Sequence, residues 1–100
     1  RRADICEIYE LDQADRQQLL QESCTLAEAM AELFKGEKLN IATIGNIVPQ
    51  LHMHHVARFE TDSAWPGPVW GACAPVAYHR DKLDERLEAL RCQLKPLIIR

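Results

Sequence analysis

Three of the four histidines in this 100-residue chain lie between positions 52 and 55, in the run Val48-Pro49-Gln50-Leu51-His52-Met53-His54-His55-Val56-Ala57-Arg58. The run alternates as a β-strand does, over residues 50–59. Successive strand side chains point to opposite faces. Gln50, His52, His54 and Arg58 therefore share one face, and Leu51, Met53 and His55 the other. Two imidazoles roughly 7 Å apart on a rigid face suit proton transfer and attack on phosphorus. A neutral imidazole can add to phosphorus, form a phosphoramidate and leave again when water attacks. His52 is the candidate nucleophile, with His54 and Gln50 on either side as donors. His-x-His on a strand also suits zinc. No Asp, Glu or Cys stands close enough to complete that shell, and Glu60 is the nearest carboxylate of matching parity. A polar strand face with satisfied histidines is the third reading. Residue types alone leave all three open.

The surrounding elements must hold that strand. Asp12 is the expected N-cap of a helix over residues 12–35, with Asp15 in its first turn favoured by the helix dipole. Leu19, Leu20, Ser23, Leu26, Ala27, Met30, Leu33 and Phe34 follow 3–4 spacing and form its buried stripe. Arg16, Gln17, Gln21, Glu28 and Glu32 form its polar face, and Gly36 is the expected stop. Residues 1–9 read as the end of a strand or a loop entering a turn. Residues 39–44 read as a short strand closed by Gly45-Asn46, which predicts an antiparallel hairpin with the histidine strand. The N–H groups of that turn would lie near the histidines and could bind an anion. Residues 62–75 form a Pro- and Gly-rich loop holding Trp65 and Trp70, as a lid or as buried anchors. A second helix spans residues 80–93 with Leu83, Leu87, Leu90 and Leu94 along one stripe, and Pro96 ends it. The apolar residues Leu97, Ile98 and Ile99 follow as a further strand or an interface. His55 is expected to pack near the long helix, and His79 to be solvated.

Composition sets the outer bounds. With 47% hydrophobic and 27% charged residues, the chain reads as one ordinary domain, residues 1–100. A net charge of −3 without a basic patch argues against a nucleic-acid polymer as partner. No apolar run reaches membrane-spanning length, so no membrane partner is expected. Cys6, Cys24, Cys73 and Cys92 show no C-x-x-C spacing and read as free buried thiols, consistent with a cytoplasmic location. The chain opens at Arg1-Arg2 without methionine, so part of the domain is expected to lie upstream.

The run at 48–58 resembles the signature of the histidine triad (HIT) superfamily, His-φ-His-φ-His after Val-Pro and before Arg. Aligned on Val48-Pro49, Gln50 stands at the first histidine, His52 at the middle one and His54 at the last. Gly45-Asn46 falls where the family has Gly-Gln, and Leu39-Asn40-Ile41 resembles its Tyr-Asn-Ile strand. The Gln-Leu-His-x-His-His form and the Trp-Pro-Gly-Pro-Val-Trp-Gly run within residues 62–71 are similar to a group of small proteobacterial HIT-like proteins. Ile47 stands where many members have serine, and the turn between the strands is shorter than in the nucleoside phosphoramidases.

The resemblance implies an α+β fold: a mainly antiparallel sheet with one long helix packed on it, here lacking the N-terminal strands. It implies a nucleotide phosphohydrolase or nucleotidyl transferase acting at the α-phosphate through a nucleotidyl-histidine intermediate. His52 would be the nucleophile and His54 the donor to phosphate or leaving group. Gln50 would order His52 in place of the first histidine, and Asn46 and Gly45 would lie on the phosphate side. A purine nucleotide or nucleotide conjugate would be the partner and a homodimer the assembly, with no cofactor or metal. The alternative is a nucleotide-binding or adaptor protein with little catalysis.

Overall fold

A computed structural model describes residues 1–95. The expectations for Pro96 and for Leu97, Ile98 and Ile99 lie outside the described residues. A short 3₁₀ turn at Ile8–Glu10 leads into helix α1 (Gln13–Phe34). Strands β1 (Lys38–Ala42) and β2 (His54–Arg58) follow, then helix α2 (Arg80–Gln93). The strands form an antiparallel pair with Lys38 opposite Arg58 and Ala42 opposite His54. The fold is α+β, with α1 against the sheet.

Helix α1 begins as its sequence dictates. The Asp12 side chain accepts from the Asp15 N–H at 2.8 Å, satisfying one of the donors a helix start leaves open. Asp15 is also gripped by Arg2, whose Nε and Nη2 donate to the carboxylate at 2.7 and 2.9 Å. This bond holds the Asp15 carboxyl below the usual range. The far end differs from expectation. Lys35, not Gly36, takes the left-handed conformation (φ 57°), and its N–H closes on Ala31. Gly36 is needed for another reason. A β-carbon there would stand 2.8 Å from the Arg58 carbonyl oxygen, so only glycine lets the chain pass β2. That carbonyl is itself held, accepting from the Glu37 N–H at 2.9 Å.

The core is thin: among the described residues the buried apolar side chains are Leu11 and Ala29. The predicted polar face of α1 is exposed, and most of the predicted stripe is half-buried around Ser23. Leu20 is a correction, at 65% exposed. It neighbours Leu19 on the helix, and residues one apart do not share a face. The four cysteines are free but exposed rather than buried, because so small a core does not reach them. Residues 1–9 hold no strand. Instead Glu10 accepts from the N–H groups of Glu7 and Cys6, folding the segment into the 3₁₀ turn. Helix α2 lies against α1, with the Arg86 guanidinium 4.8 Å from the Phe34 ring centre. Leu83 and Leu87 remain partly exposed. Among the described residues no helix is long and apolar enough to cross a membrane.

Candidate functional site

The strand predicted over 50–59 begins only at His54. Residues 50–53 lie outside the ladder, with a bend at Gln50, so Gln50 and His52 are not on a strand face, and the connection from β1 is longer than a tight hairpin. Backbone bonding explains this. Pro49 has no N–H to give a ladder. The Leu51 N–H donates to the Ile5 carbonyl at 2.7 Å, not to β1. The Gln50 carbonyl is taken by the His52 ring, Nδ1 to oxygen 2.7 Å.

That last bond determines the chemistry of His52. A carbonyl oxygen only accepts, so Nδ1 must carry the proton. In the neutral ring Nε2 then keeps its lone pair. His52 is exposed and lines two adjoining clefts. Gln50 thus differs from the sequence expectation: its backbone carbonyl, not its side chain, orients His52. The side-chain amide turns away and donates to the Arg2 and Ile5 carbonyls at 2.7 and 3.2 Å. It ties the N-terminal segment beside the histidines.

His54 opens β2, its ring centre 5.0 Å from that of His52. Its other neighbour is Trp70, edge-on at 5.6 Å and 77°. His55 points the opposite way, as strand alternation requires, and meets α1, where Ser23 Oγ lies 2.7 Å from its Nε2. Both tryptophans are half-buried: Trp65 lies under Arg58, and Trp70 lies against His54.

The smaller cleft, about 80 Å³, is lined by Cys6, Glu7, Thr43, Gly45, Gln50 and His52 among others. Gly45 (φ 66°) makes the turn. Asn46 is exposed and is not among the residues lining that cleft. The larger cleft, about 210 Å³, runs between α1 and residues 50–53 and is bounded by Arg1 and Arg2. Among the described residues no group of three or more His, Cys, Asp or Glu could hold a metal ion.

Sequence reasoning missed the depth of Arg58, which shares a face of β2 with His54. Arg58 is 2% exposed and forms a two-pronged ion pair with Asp62, with Nε to Oδ2 at 2.9 Å and Nη2 to Oδ1 at 3.0 Å. Arg58 holds the Asp62 carboxyl well below its usual range against the opposing effect of burial, and the Phe59 and Ala64 N–H groups add to this. The spacing Arg58 to Asp62 was the available signal.

A family profile described as HIT domain matches residues 1–61. Three solved structures are similar over nearly the whole chain. A histidine triad protein of Marinobacter aquaeolei VT8 is 48% identical at a TM-score of 0.91, covering 97% of this chain and 71% of that one. One of Bradyrhizobium japonicum is 44% identical at 0.91, covering 93% and 69%. One of Sinorhizobium meliloti 1021 is 38% identical at 0.89, again covering 93% and 69%. No curated protein matches.

Proposed function

The chain belongs to the histidine triad family, and from that premise we propose that it is a nucleotide phosphohydrolase or nucleotidyl transferase working through His52. The observation that carries the reading is the 2.7 Å bond between His52 Nδ1 and the Gln50 carbonyl. It makes Nε2 the nucleophilic nitrogen of an exposed ring without help from a first histidine. Nε2 attacks the α-phosphorus of a nucleotide conjugate. The N–P bond forms as the bond from phosphorus to the leaving group breaks, and His54 supplies the proton the leaving group needs. Water, or another acceptor, then attacks the same phosphorus, the N–P bond breaks, and the nucleoside monophosphate or its new ester departs. The solvent proton returns through His54.

Gln50 serves this reaction through its carbonyl. Gly45 lines the smaller cleft together with His52, and that cleft is of phosphate rather than nucleoside size. A second copy of the chain completes the assembly. The β1 side is flanked by exposed Ile41, Ile44, Ile47 and Val48, and Ile47 is 94% exposed.

The test is incubation with adenosine 5′-phosphoramidate and with a dinucleoside polyphosphate, each followed by mass spectrometry under conditions that preserve an acid-labile adduct. The expected result is a nucleotidyl adduct on His52 and AMP release that His52→Ala abolishes. Equal AMP release by wild type and His52→Ala would defeat the catalytic reading. Tight AMP binding without turnover would instead identify a binding or adaptor protein.

A further inference from the structure

Residues 59–71 leave β2 at Arg58 and return to it at Trp70. Asp62 builds the outward turn, its carboxylate accepting from the Phe59 and Ala64 N–H groups at 3.1 Å each as well as from Arg58. Arg58 holds the return path. Its Nη2 donates to the Gly67 carbonyl at 2.7 Å, its Nη1 to Asn40 Oδ1 at 2.6 Å, and its guanidinium lies 5.5 Å from the Trp65 ring centre. With Arg58 2% exposed, water competes little for these bonds. The loop is therefore fastened to one buried cation at Asp62, Trp65 and Gly67, and three residues beyond the last of these Trp70 lies edge-on against His54.

The two candidate histidines are thus oriented by different means. A backbone carbonyl turns His52. Among the described residues no hydrogen bond turns His54, whose ring neighbours are His52 and Trp70. The terminal torsion of histidine is broad, so a ring without a hydrogen bond needs a directional contact to hold it. An edge-on indole supplies one.

We propose that Trp70 is a positioning residue for His54, and that Arg58 and Asp62 are the anchor that holds it there. The inference rests on His54 being the proton donor of the proposed reaction. Trp70 acts through that ring and not on the reacting phosphorus.

Leaving groups separate this role from simple structural support. The amine of adenosine 5′-phosphoramidate needs a proton to depart, whereas the nitrophenolate of the p-nitrophenyl ester of AMP does not. Trp70→Ala is expected to lower kcat/KM, which reads the first, leaving-group step and not the shared hydrolysis of the adduct, about 5- to 10-fold on the phosphoramidate and about 2-fold on the nitrophenyl ester. Trp70→Phe, which keeps an aromatic edge, is expected to recover most of the loss. In a His54→Gln background, Trp70→Ala is expected to leave the ratio of the two rates unchanged. Equal losses on both substrates in both Trp70 variants would overturn the positioning role while leaving the proposed reaction standing. Wild-type protein that turns over neither substrate would overturn the proposed reaction, and this inference with it.

Discussion

His54 and His55 are adjacent residues of one type on one strand, yet they occupy different worlds. His55 is held between β2 and α1 by Ser23. His54 faces the side where His52, Trp70 and the Arg58 loop converge. Strand alternation separates the two rings, and the helix then decides which side is interior. A histidine cluster read by composition alone is therefore misleading: one ring faces the helix, and its neighbour faces His52 and Trp70.

The largest expected effect tests that division directly. His54→Ala should lower turnover of an amine-leaving substrate by about 10²-fold or more while the melting temperature barely moves. His55→Ala should do the reverse, costing about 1–3 kcal/mol of stability with kcat within about 2-fold of wild type. Paired steady-state kinetics and thermal melts check both. Comparable kinetic losses in the two variants would erase the distinction.

The next effect tests the close passage between the end of α1 and the end of β2. Gly36→Val should destabilise the protein by about 1–3 kcal/mol in denaturant titration. Its β-carbon meets the Arg58 carbonyl, which cannot withdraw without losing the Glu37 N–H. A neutral result would mean that the two elements are free to part.

Ser23→Ala should cost about 1 kcal/mol by removing the partner of His55 Nε2. It should leave the nitrophenyl-ester and phosphoramidate rates in their wild-type ratio. A changed ratio would show that the interior ring communicates with the exposed one.

The smallest effect is one of pH. The Asp62 carboxyl is held low by Arg58, so its contribution is present above the usual carboxylate pKa of about 4 and is lost as pH falls toward the lowered folded value. The stability difference between wild type and Asp62→Asn should be constant from neutral pH down to about pH 5 and shrink below about pH 4. A difference that grew on acidification would remove the Arg58 pair as its cause.

Much of the scaffold was legible because its signals are local. Asp12 and Asp15 mark the start of α1, and the helical spacing of its apolar residues identifies the side that meets the sheet. The opposed faces of His54 and His55 follow from alternation alone. The misreadings have one common form, in which a distant partner took a group that local pattern had assigned elsewhere. Gly36 reads as a helix stop, but the passing Arg58 carbonyl is what demands glycine. Gln50 reads as a member of a strand face, but carbonyls near the N-terminus draw its amide away.

By itself the sequence determined the family signature, the long helix, and which two histidines, His52 and His54, are the candidates for chemistry. Each depends on spacing along a few residues, and spacing survives without a fold. The tertiary structure alone decided how those histidines are aimed. His52 is turned by a carbonyl freed because its segment pairs with the N-terminal residues instead of β1. His54 is met by a tryptophan carried back on a loop fastened to a buried arginine. Ring orientation depends on partners brought together from separate parts of the chain, and only the folded backbone sets those distances.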